Sequence, residues 1–285
     1  MTNFQFILLI KNIYGKRLPD LEKIQNMGLL ATKIAQHYAL RIDFLDEKVC
    51  THLSKLYQNT LKIDEDTVTS IIKKNLPSNY MDNFINFEKN SIASASIGQV
   101  HRAVLNNGNK VVVKIVKEDF KEDFLKDLSN LKKFIKIALF FYPKLKRVFN
   151  PIEILNYIEE YTLEELNLLN EIKGQDMLWN IYNENKDKYN LSDLVFHKIY
   201  PELSNENVLV SEEIQGETFK TLIDKKELSY SNLLKLFHIH GFFVFKIGIF
   251  HGDIHPGNIF LTSTGKIGFV DTGAISKVKD NLKIG

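Results

Sequence analysis

One short segment restricts the folds open to this chain more than any other feature. It reads His-Gly-Asp-Ile-His-Pro-Gly-Asn from position 251 to 258, and its Pro-Gly pair favours a tight non-helical turn between Asp253 and Asn258. An apolar strand follows at residues 267–270 and ends in Asp271, close to a glycine that permits a sharp exit. The sequence therefore predicts a turn and a strand that gather two carboxylates and one amide.

These residue types suit phosphoryl transfer. Such a site needs a cation on the nucleotide phosphates, oxygen ligands for magnesium and a group that positions the acceptor. Asn258 and Asp271 supply the oxygen ligands that magnesium prefers, and Asp253 can orient an acceptor hydroxyl. As an alternative, His251, Asp253 and His255 could bind zinc or iron, but no further ligand cluster occurs at a supporting spacing. Magnesium is the predicted ion.

Composition excludes other classes of protein. The chain has 285 residues, enough for two lobes, and Lys plus Arg of 37 against Asp plus Glu of 35 gives a net charge of only +2, which argues against a nucleic-acid-binding protein. Cys50 is the single cysteine, so we expect a reducing compartment and a buried apolar role for this residue. No apolar run approaches the roughly 20 residues of a membrane-spanning helix, and a secretory signal is not expected.

Hydrophobic periodicity divides the chain into helical and strand segments. Helical spacing is present at residues 18–80, 117–139, 152–185 and 217–247. β-Branched runs at residues 99–105 and 111–116 flank the turn-forming cluster 106–109, and shorter apolar runs occur at 195–200 and 208–214. The sequence predicts an α+β fold with a hairpin in a mixed sheet.

Lys114 is the predicted cation for the nucleotide phosphates. It lies within an apolar strand, where its side chain needs an anion; the alternative is an edge-strand lysine that points to solvent. Glu164, Glu165 and Glu171 follow on a helix in the right chain order to hold this lysine. Glu165 and Glu171 lie about 120° apart around a helix, so they cannot both face it equally. An ordinary solvated acidic face is the alternative for these glutamates.

Two families share the HGDxHPGN and DxG arrangement. They are the aminoglycoside phosphotransferase and choline kinase type of small-molecule kinase, and the UbiB/ADCK family of atypical kinases. Residues 91–103, Ser-Ile-Ala-Ser-Ala-Ser-Ile-Gly-Gln-Val-His-Arg-Ala, resemble the alanine-rich nucleotide loop of the UbiB/ADCK family. Small residues let backbone N–H groups approach phosphates, and a simple bend before a strand is the alternative. The predicted phosphate contacts are Ala93, Ser94, Ala95 and Ser96.

Residues 33–36, Lys-Ile-Ala-Gln, resemble the KxGQ helix of the UbiB/ADCK family. The resemblance implies that Lys33 and Gln36 act with Asp253 among the catalytic residues, although alone they would read as the surface of an amphipathic helix. It also implies ATP and Mg²⁺ as ligands, with Glu165 and Glu171 at the ATP site and with backbone groups of Glu212 and Ile214 facing adenine.

The resemblance implies a two-lobed protein kinase-like fold. We expect an N-terminal helical extension at residues 1–85, an N-lobe at 86–216 and a shortened C-terminal lobe at 217–285, since only 12 residues follow Gly273 (285 minus 273). Three positions depart from the family pattern: Ala35 replaces the glycine of KxGQ, Asn167 the aspartate of ExD, and Thr272 the phenylalanine of DFG.

The expected function is that of an ATP-dependent phosphotransferase or ATPase. By resemblance it would support isoprenoid quinone (ubiquinone) biosynthesis, with membrane lipids or quinone-biosynthesis proteins as partners and no nucleic acid. We expect an intracellular protein held peripherally at a bacterial or mitochondrial inner membrane. A small-molecule kinase, and a pseudokinase-like scaffold that binds nucleotide or lipid without turnover, are the alternatives.

Overall fold

Helices and strands follow one another largely as the sequence predicts. The computed structural model describes residues 1–57, 65–94, 97–116, 119–142 and 150–278. The helices are α1 (Asn3–Ile13), α2 (Leu21–Asn26), α3 (Leu29–Ala39), α4 (Glu47–Leu53), α5 (Glu65–Asn75), α6 (Asp119–Phe141), α7 (Pro151–Glu165), α8 (Leu169–Asn185), α9 (Phe219–Lys225) and α10 (Tyr230–Gly241). Short 3-10 helices lie at Ser54–Tyr57, Tyr80–Asn83 and Pro201–Leu203, and a π-helix lies at Phe242–Ile247.

Three sheets account for the strands. These are β1 (Phe84–Ser94), β2 (Gly98–Leu105), β3 (Lys110–Val116), β4 (Leu194–Val195), β5 (Val208–Glu212), β6 (Gly216–Thr218), β7 (Ile249–His251), β8 (Ile259–Thr262), β9 (Ile267–Phe269) and β10 (Ile275–Lys277). The sheet orders are β1-β2-β3-β5, β4-β9-β8-β6 and β10-β7. The predicted mixture of helices and sheets, an α+β fold, is confirmed.

The hairpin β2–β3 forms where the sequence predicts it. The Leu105 N–H donates to the Asn109 carbonyl over 2.9 Å and closes the turn, and Gly108 takes a φ of 84° that favours glycine. Strand β1, by contrast, was not predicted. Most of its residues are exposed or half-buried, so it lacks the apolar alternation that marks a strand in sequence.

By its internal contacts the chain divides into two compact units. The first contains Met1–Asp82, Phe87–His101 and Lys114–Leu166, and the second contains Asn83–Asn86, Arg102–Val113 and Asn167–Gly285. The three-part division predicted from the sequence follows motif boundaries instead of packing, and it stays a prediction.

Helix α3 lies at the centre of the core in the first unit. Leu30, Ala31, Ile34 and Ala35 are buried, and the helix packs on α1, α2, α4, α6 and α7. Burying each large aliphatic side chain contributes roughly 1.5–3 kcal/mol. Because α3 is surrounded on several sides, the surface-helix alternative for residues 33–36 is wrong.

The second unit carries the segment that the sequence singles out. Strands β8 and β9 pair antiparallel with Ile259 opposite Phe269, and β4 runs parallel to β9. Strand β10 pairs antiparallel with β7, with Ile275 opposite His251. The apolar side chains of these strands pack against helices α8, α9 and α10. The chain segments before residue 253 and around residue 271 are therefore positioned by strands.

The predicted long helix at 152–185 is in fact two helices. The Leu168 N–H donates to the Glu206 carbonyl over 2.9 Å, outside the helix, and the Asn167 Oδ1 accepts from the Leu169 N–H over 3.1 Å. These bonds lie between the end of α7 and the start of α8. The predicted strand 195–200 is also shorter: β4 covers only Leu194–Val195, followed by an isolated bridge between Ile199 and Ser211.

Within the ranges that the structure describes, no helix combines the length and the apolar character needed to cross a bilayer.

Candidate functional site

Asp253 and Asn258 converge as predicted from the turn between them. The Asn258 Nδ2 donates to the Asp253 carboxylate over 3.1 Å and to the Asp253 carbonyl over 3.3 Å. The backbone makes two tight turns on the way, from the His255 N–H to the Asp253 carbonyl and from the Asn258 N–H to the His255 carbonyl. Because the amide nitrogen faces Asp253, the amide oxygen of Asn258 points away from that carboxylate.

Asp271 is joined to the same loop through the residue before it. The Val270 N–H donates to the Asn258 carbonyl over 3.0 Å, and the buried His251 ring contacts the Val270 carbonyl over 2.9 Å. Asp271 itself has a φ of 59°, in the left-handed region that Asp and Asn enter more readily than most residues. The structure thus brings Asp253, Asn258 and Asp271 into one loop cluster within the second unit.

His251 positions this cluster through both of its ring nitrogens. Its Nδ1 accepts from the Asp253 N–H over 3.2 Å, which assigns the proton to Nε2, and Nε2–H donates to Val270. Both ring nitrogens are therefore occupied. His255 likewise uses Nδ1 to accept from the Gly257 N–H over 3.1 Å. Among the described residues there is no cluster of three His, Cys, Asp or Glu side chains that could bind a metal, so the zinc or iron alternative has no support.

The donors of the loop cluster fit magnesium. Magnesium prefers oxygen ligands and is commonly held by one or two carboxylates, with substrate phosphates and waters completing the shell. Asp271 offers a carboxylate, and the orientation of Asn258 leaves an amide oxygen for a cation. A site of this kind needs no third carboxylate or histidine.

Lys33 pairs with Glu165 in the first unit. The Lys33 ammonium forms an ion pair with the Glu165 carboxylate, and it lies 5.4 Å from the centroid of the Tyr161 ring. Glu165 was predicted at the ATP site as a candidate partner of Lys114, and this ion pair gives it a different partner. The neighbouring Glu164 has a raised pKa, first through partial burial and then through Glu160.

Gln36 makes structural contacts. The residue is buried, and its side-chain Nε2 donates to the Leu56 carbonyl over 2.9 Å. Its backbone carbonyl accepts from the Tyr57 hydroxyl over 3.0 Å. These bonds tie α3 to the 3-10 helix at Ser54–Tyr57. The predicted catalytic role of Gln36 stays a prediction beside this structural one.

Lys114 and Glu171 occupy the elements expected for them. Lys114 is half-buried in β3 between the buried Val113 and Ile115, so its side chain leaves the strand on the face opposite to theirs. Glu171 lies in the first turn of α8 and is buried. Lys114 belongs to the first unit and Glu171 to the second, and their pairing stays a prediction.

The predicted nucleotide loop begins inside a strand. Ala93 and Ser94 are the last residues of β1, where they are exposed and half-buried respectively. Ala95 and Ser96 lie outside the described residues. Gly98 begins β2, and a Cβ there would collide with the Ile115 carbonyl, so glycine is required for the close approach of β2 to β3. The phosphate contacts of this loop stay predictions.

The predicted adenine contacts stand at the end of β5. The Glu212 N–H donates to the Lys198 carbonyl over 2.8 Å, so this N–H is bonded within the protein. Ile214 lies two residues further on, with its Cδ1 next to Gly268. Their adenine contacts stay predictions.

Two further residues, Thr272 and Gly174, support the loop cluster and were not predicted from the sequence. Thr272 was noted only as a departure from DFG, yet it is 2% exposed and its hydroxyl donates to the Glu171 carbonyl over 2.8 Å. Gly174 lies beneath it on α8, where a Cβ would collide with the Thr272 carbonyl. A glycine inside a helical pattern is the signal that could have indicated a close backbone approach.

Known proteins resemble this chain over most of its length. The family model of the ABC1 atypical kinase-like domain matches residues 55–284. A protein of Clostridium pasteurianum, named "Uncharacterized protein in hydrogenase 1 5'region", is 31% identical over 293 aligned residues, which cover 99% of this chain and 52% of that protein. A protein of Pseudomonas putida, named "Probable protein kinase UbiB", is 30% identical over 245 residues, which cover 84% of this chain and 44% of that protein. The chain spans about half the length of the curated relatives it matches.

A solved structure supports the fold. The structure of the Rv3197–erythromycin complex from Mycobacterium tuberculosis matches with a TM-score of 0.61 and 22% identity, over 96% of this chain and 64% of that one. A likeness at this identity concerns the fold alone, and it confirms the predicted α+β kinase-like fold. With the domain model matching most of the chain and relatives named UbiB near 30% identity, this chain belongs to the UbiB/ADCK family of atypical kinases, which carries the ABC1 domain.

Proposed function

We propose that this atypical kinase domain binds ATP together with magnesium and catalyses phosphoryl transfer or ATP hydrolysis. In this proposal Lys114 contacts the nucleotide phosphates, Asn258 and Asp271 hold magnesium, and Asp253 orients the acceptor hydroxyl or attacking water. The observation that carries the proposal is the loop cluster itself. Three oxygen-bearing side chains with different tasks lie on one turn and the strand joined to it.

The contacts of Asn258 support its assignment as a magnesium ligand. Its Nδ2 donates to the Asp253 carboxylate over 3.1 Å. This bond orients the amide and turns the amide oxygen away from the negative charge of Asp253. The same bond holds one carboxylate oxygen of Asp253 and restricts the rotation of that side chain. When bound, magnesium supplies positive charge to the phosphate oxygens. The protein holds the metal-binding side chains in place before magnesium binds, which lowers the entropy cost of binding.

Two departures from the family pattern, Asn167 and Thr272, are the argument for a scaffold without turnover. Asn167 accepts from the Leu169 N–H at the start of α8, and the Thr272 hydroxyl donates to the Glu171 carbonyl. Each departing residue therefore has a structural contact suited to its own side chain. This favours an active enzyme, because the residues proposed to handle nucleotide and magnesium are all of the expected type.

ATP hydrolysis is the preferred activity over protein phosphorylation. In the UbiB/ADCK family the helical extension with the KxGQ helix occupies the space where a protein substrate would dock. Here the corresponding lysine and glutamine are buried, and Lys33 is held by Glu165. By the same resemblance we propose a role in isoprenoid quinone biosynthesis, with peripheral attachment to a membrane as its setting.

Turnover of ATP by the purified chain tests the proposal. We expect hydrolysis that requires magnesium and needs no soluble hydroxyl acceptor, measured with and without phospholipid vesicles. Hydrolysis that appears only with an added soluble alcohol or aminoglycoside would favour a small-molecule kinase. Binding of ATP without turnover in every condition would contradict the enzyme and favour a scaffold.

A further inference from the structure

Thr272 attaches the Asp271 turn to helix α8 through a bond that the family pattern does not provide. The Thr272 Oγ1 donates to the Glu171 carbonyl over 2.8 Å, and the residue is 2% exposed. The phenylalanine of the DFG pattern has no donor for this carbonyl. The hydrogen bond is thus a property of this chain's own sequence.

Gly174 allows the turn to lie directly against the helix. A Cβ at this position would collide with the Thr272 carbonyl oxygen, so the backbone of the turn touches the backbone of α8. A Cβ on Gly273 would lie 3.3 Å from the Glu171 Cγ, so the next residue is also close to the helix. The hydrogen bond of Thr272 and the close backbone contact at Gly174 both restrain the segment 270–274.

Both ends of this segment are held by the loop that contains Asp253 and Asn258. Before Asp271, the Val270 N–H donates to the Asn258 carbonyl over 3.0 Å; after it, the Ala274 carbonyl accepts from the Gly252 N–H over 2.7 Å. Between these two bonds, the Thr272 hydroxyl adds a restraint from α8 next to Asp271. Asp271 has a φ of 59°, and non-glycine residues keep such a conformation only where the surroundings enforce it.

We infer that Thr272 is a positioning residue for the magnesium site. Its hydroxyl bond to Glu171, with the close contact at Gly174, holds Asp271 in the left-handed conformation and so fixes where the Asp271 carboxylate is presented. The magnesium part of this inference rests on the proposed function. The restraint itself is a property of the protein without ligand, so the two can be tested separately.

Three variants and a matched control test the inference in the full chain. Thr272→Val removes the hydroxyl at nearly constant size, Thr272→Ser retains it, and Gly174→Ala displaces the Thr272 carbonyl. Thr264→Val is the control, because Thr264 is an exposed threonine in the same unit. The first measurement is amide hydrogen exchange at residues 270–274 without ligand. The second is the dissociation constant of Mn²⁺ in the presence of ADP, measured by electron paramagnetic resonance.

We expect Thr272→Val and Gly174→Ala to exchange faster at residues 270–274 and to bind Mn²⁺ about tenfold more weakly, since one buried hydrogen bond is lost or displaced. Thr272→Ser should restore binding to near the wild-type value, and Thr264→Val should change neither measurement. Unchanged exchange in Thr272→Val, or faster exchange with unchanged Mn²⁺ binding, would overturn the inference. If the wild type binds no Mn²⁺ with ADP, the proposed function fails, and exchange alone still decides whether Thr272 restrains the turn.

Discussion

The Lys33 ammonium of helix α3 is paired with the Glu165 carboxylate at the end of helix α7. The side chains are 4% and 21% exposed respectively, so the charge of Lys33 is almost completely removed from water. The pair joins the KxGQ-like helix to the residue that the family pattern places in ExD. Its integrity therefore bears on both the stability of the first unit and the state of the KxGQ-like helix.

Breaking this pair from one side should destabilise the chain strongly. We predict that Glu165→Leu lowers the free energy of unfolding by about 3 kcal/mol, because Lys33 is left buried without its counter-charge. Replacing both residues, as Lys33→Met with Glu165→Leu, should recover most of that loss. Urea unfolding of the three proteins measures the effect.

An exposed pair provides the control for that experiment. Lys220 and Asp224 form an ion pair one helical turn apart with side chains 41% and 65% exposed, so Asp224→Asn should change stability by less than about 1 kcal/mol. If Glu165→Leu costs no more than Asp224→Asn, the Lys33–Glu165 pair is not the buried interaction described above.

Asp271 should show an unusual preference for glycine over alanine. Alanine is normally the more stable of the two, because glycine loses more backbone freedom on folding. At Asp271 the φ of 59° strains alanine and not glycine. We predict that Asp271→Gly is more stable than Asp271→Ala by about 1 kcal/mol in urea unfolding. Both variants lack the carboxylate, and the strain of left-handed alanine exceeds the extra backbone freedom that glycine loses.

The same pair of substitutions in an exposed helix should give the opposite order. At Lys133, an exposed position within α6, the alanine variant should have a free energy of unfolding about 1 kcal/mol higher than the glycine variant. Equal stabilities of Asp271→Gly and Asp271→Ala would show that the left-handed conformation is not retained.

His197 should make stability depend on pH. Burial lowers the pKa of His197 from 6.5 to about 4, and its Nδ1 is fully buried even though the residue as a whole is only part-buried. The unfolded state therefore binds the proton more tightly, so stability falls as pH decreases from 6.5 toward 4 and levels off below that range. The loss should be on the order of 3 kcal/mol.

A neutral replacement isolates this contribution. His197→Gln should have a smaller loss of stability across this pH range than the wild type. Because burial also lowers the pKa values of His37, His101 and His240, part of the pH dependence remains in every variant. Identical pH profiles for the wild type and His197→Gln would contradict the assignment.

The loop cluster could be predicted from sequence because its residues are brought together by a turn and a strand that lie close to one another in the chain. A Pro-Gly turn joins Asp253 to Asn258, and the strand before Asp271 is apolar, so local rules are enough to bring these residues together. The partner of Glu165 could not be predicted in this way. Lys33 lies 132 positions away, and the contact depends on how α3 packs on α7.

Other differences have the same cause. The helix break after Glu165 depends on the Glu206 carbonyl, which accepts from the Leu168 N–H across the fold. Helical periodicity continues through the break because it reports side-chain spacing and not backbone partners. The role of Thr272 was hidden for a similar reason, since its acceptor is a backbone carbonyl of another helix.

Calorimetric titration with a non-hydrolysable ATP analogue tests the central claim most directly. The wild type should bind the analogue with magnesium and at least about tenfold more weakly without it, since each tenfold corresponds to about 1.4 kcal/mol. Asp271→Asn should lose this magnesium dependence, while Asp224→Asn, an exposed carboxylate in the same unit, should retain it. Magnesium-dependent binding that is the same in Asp271→Asn and the wild type would contradict the account.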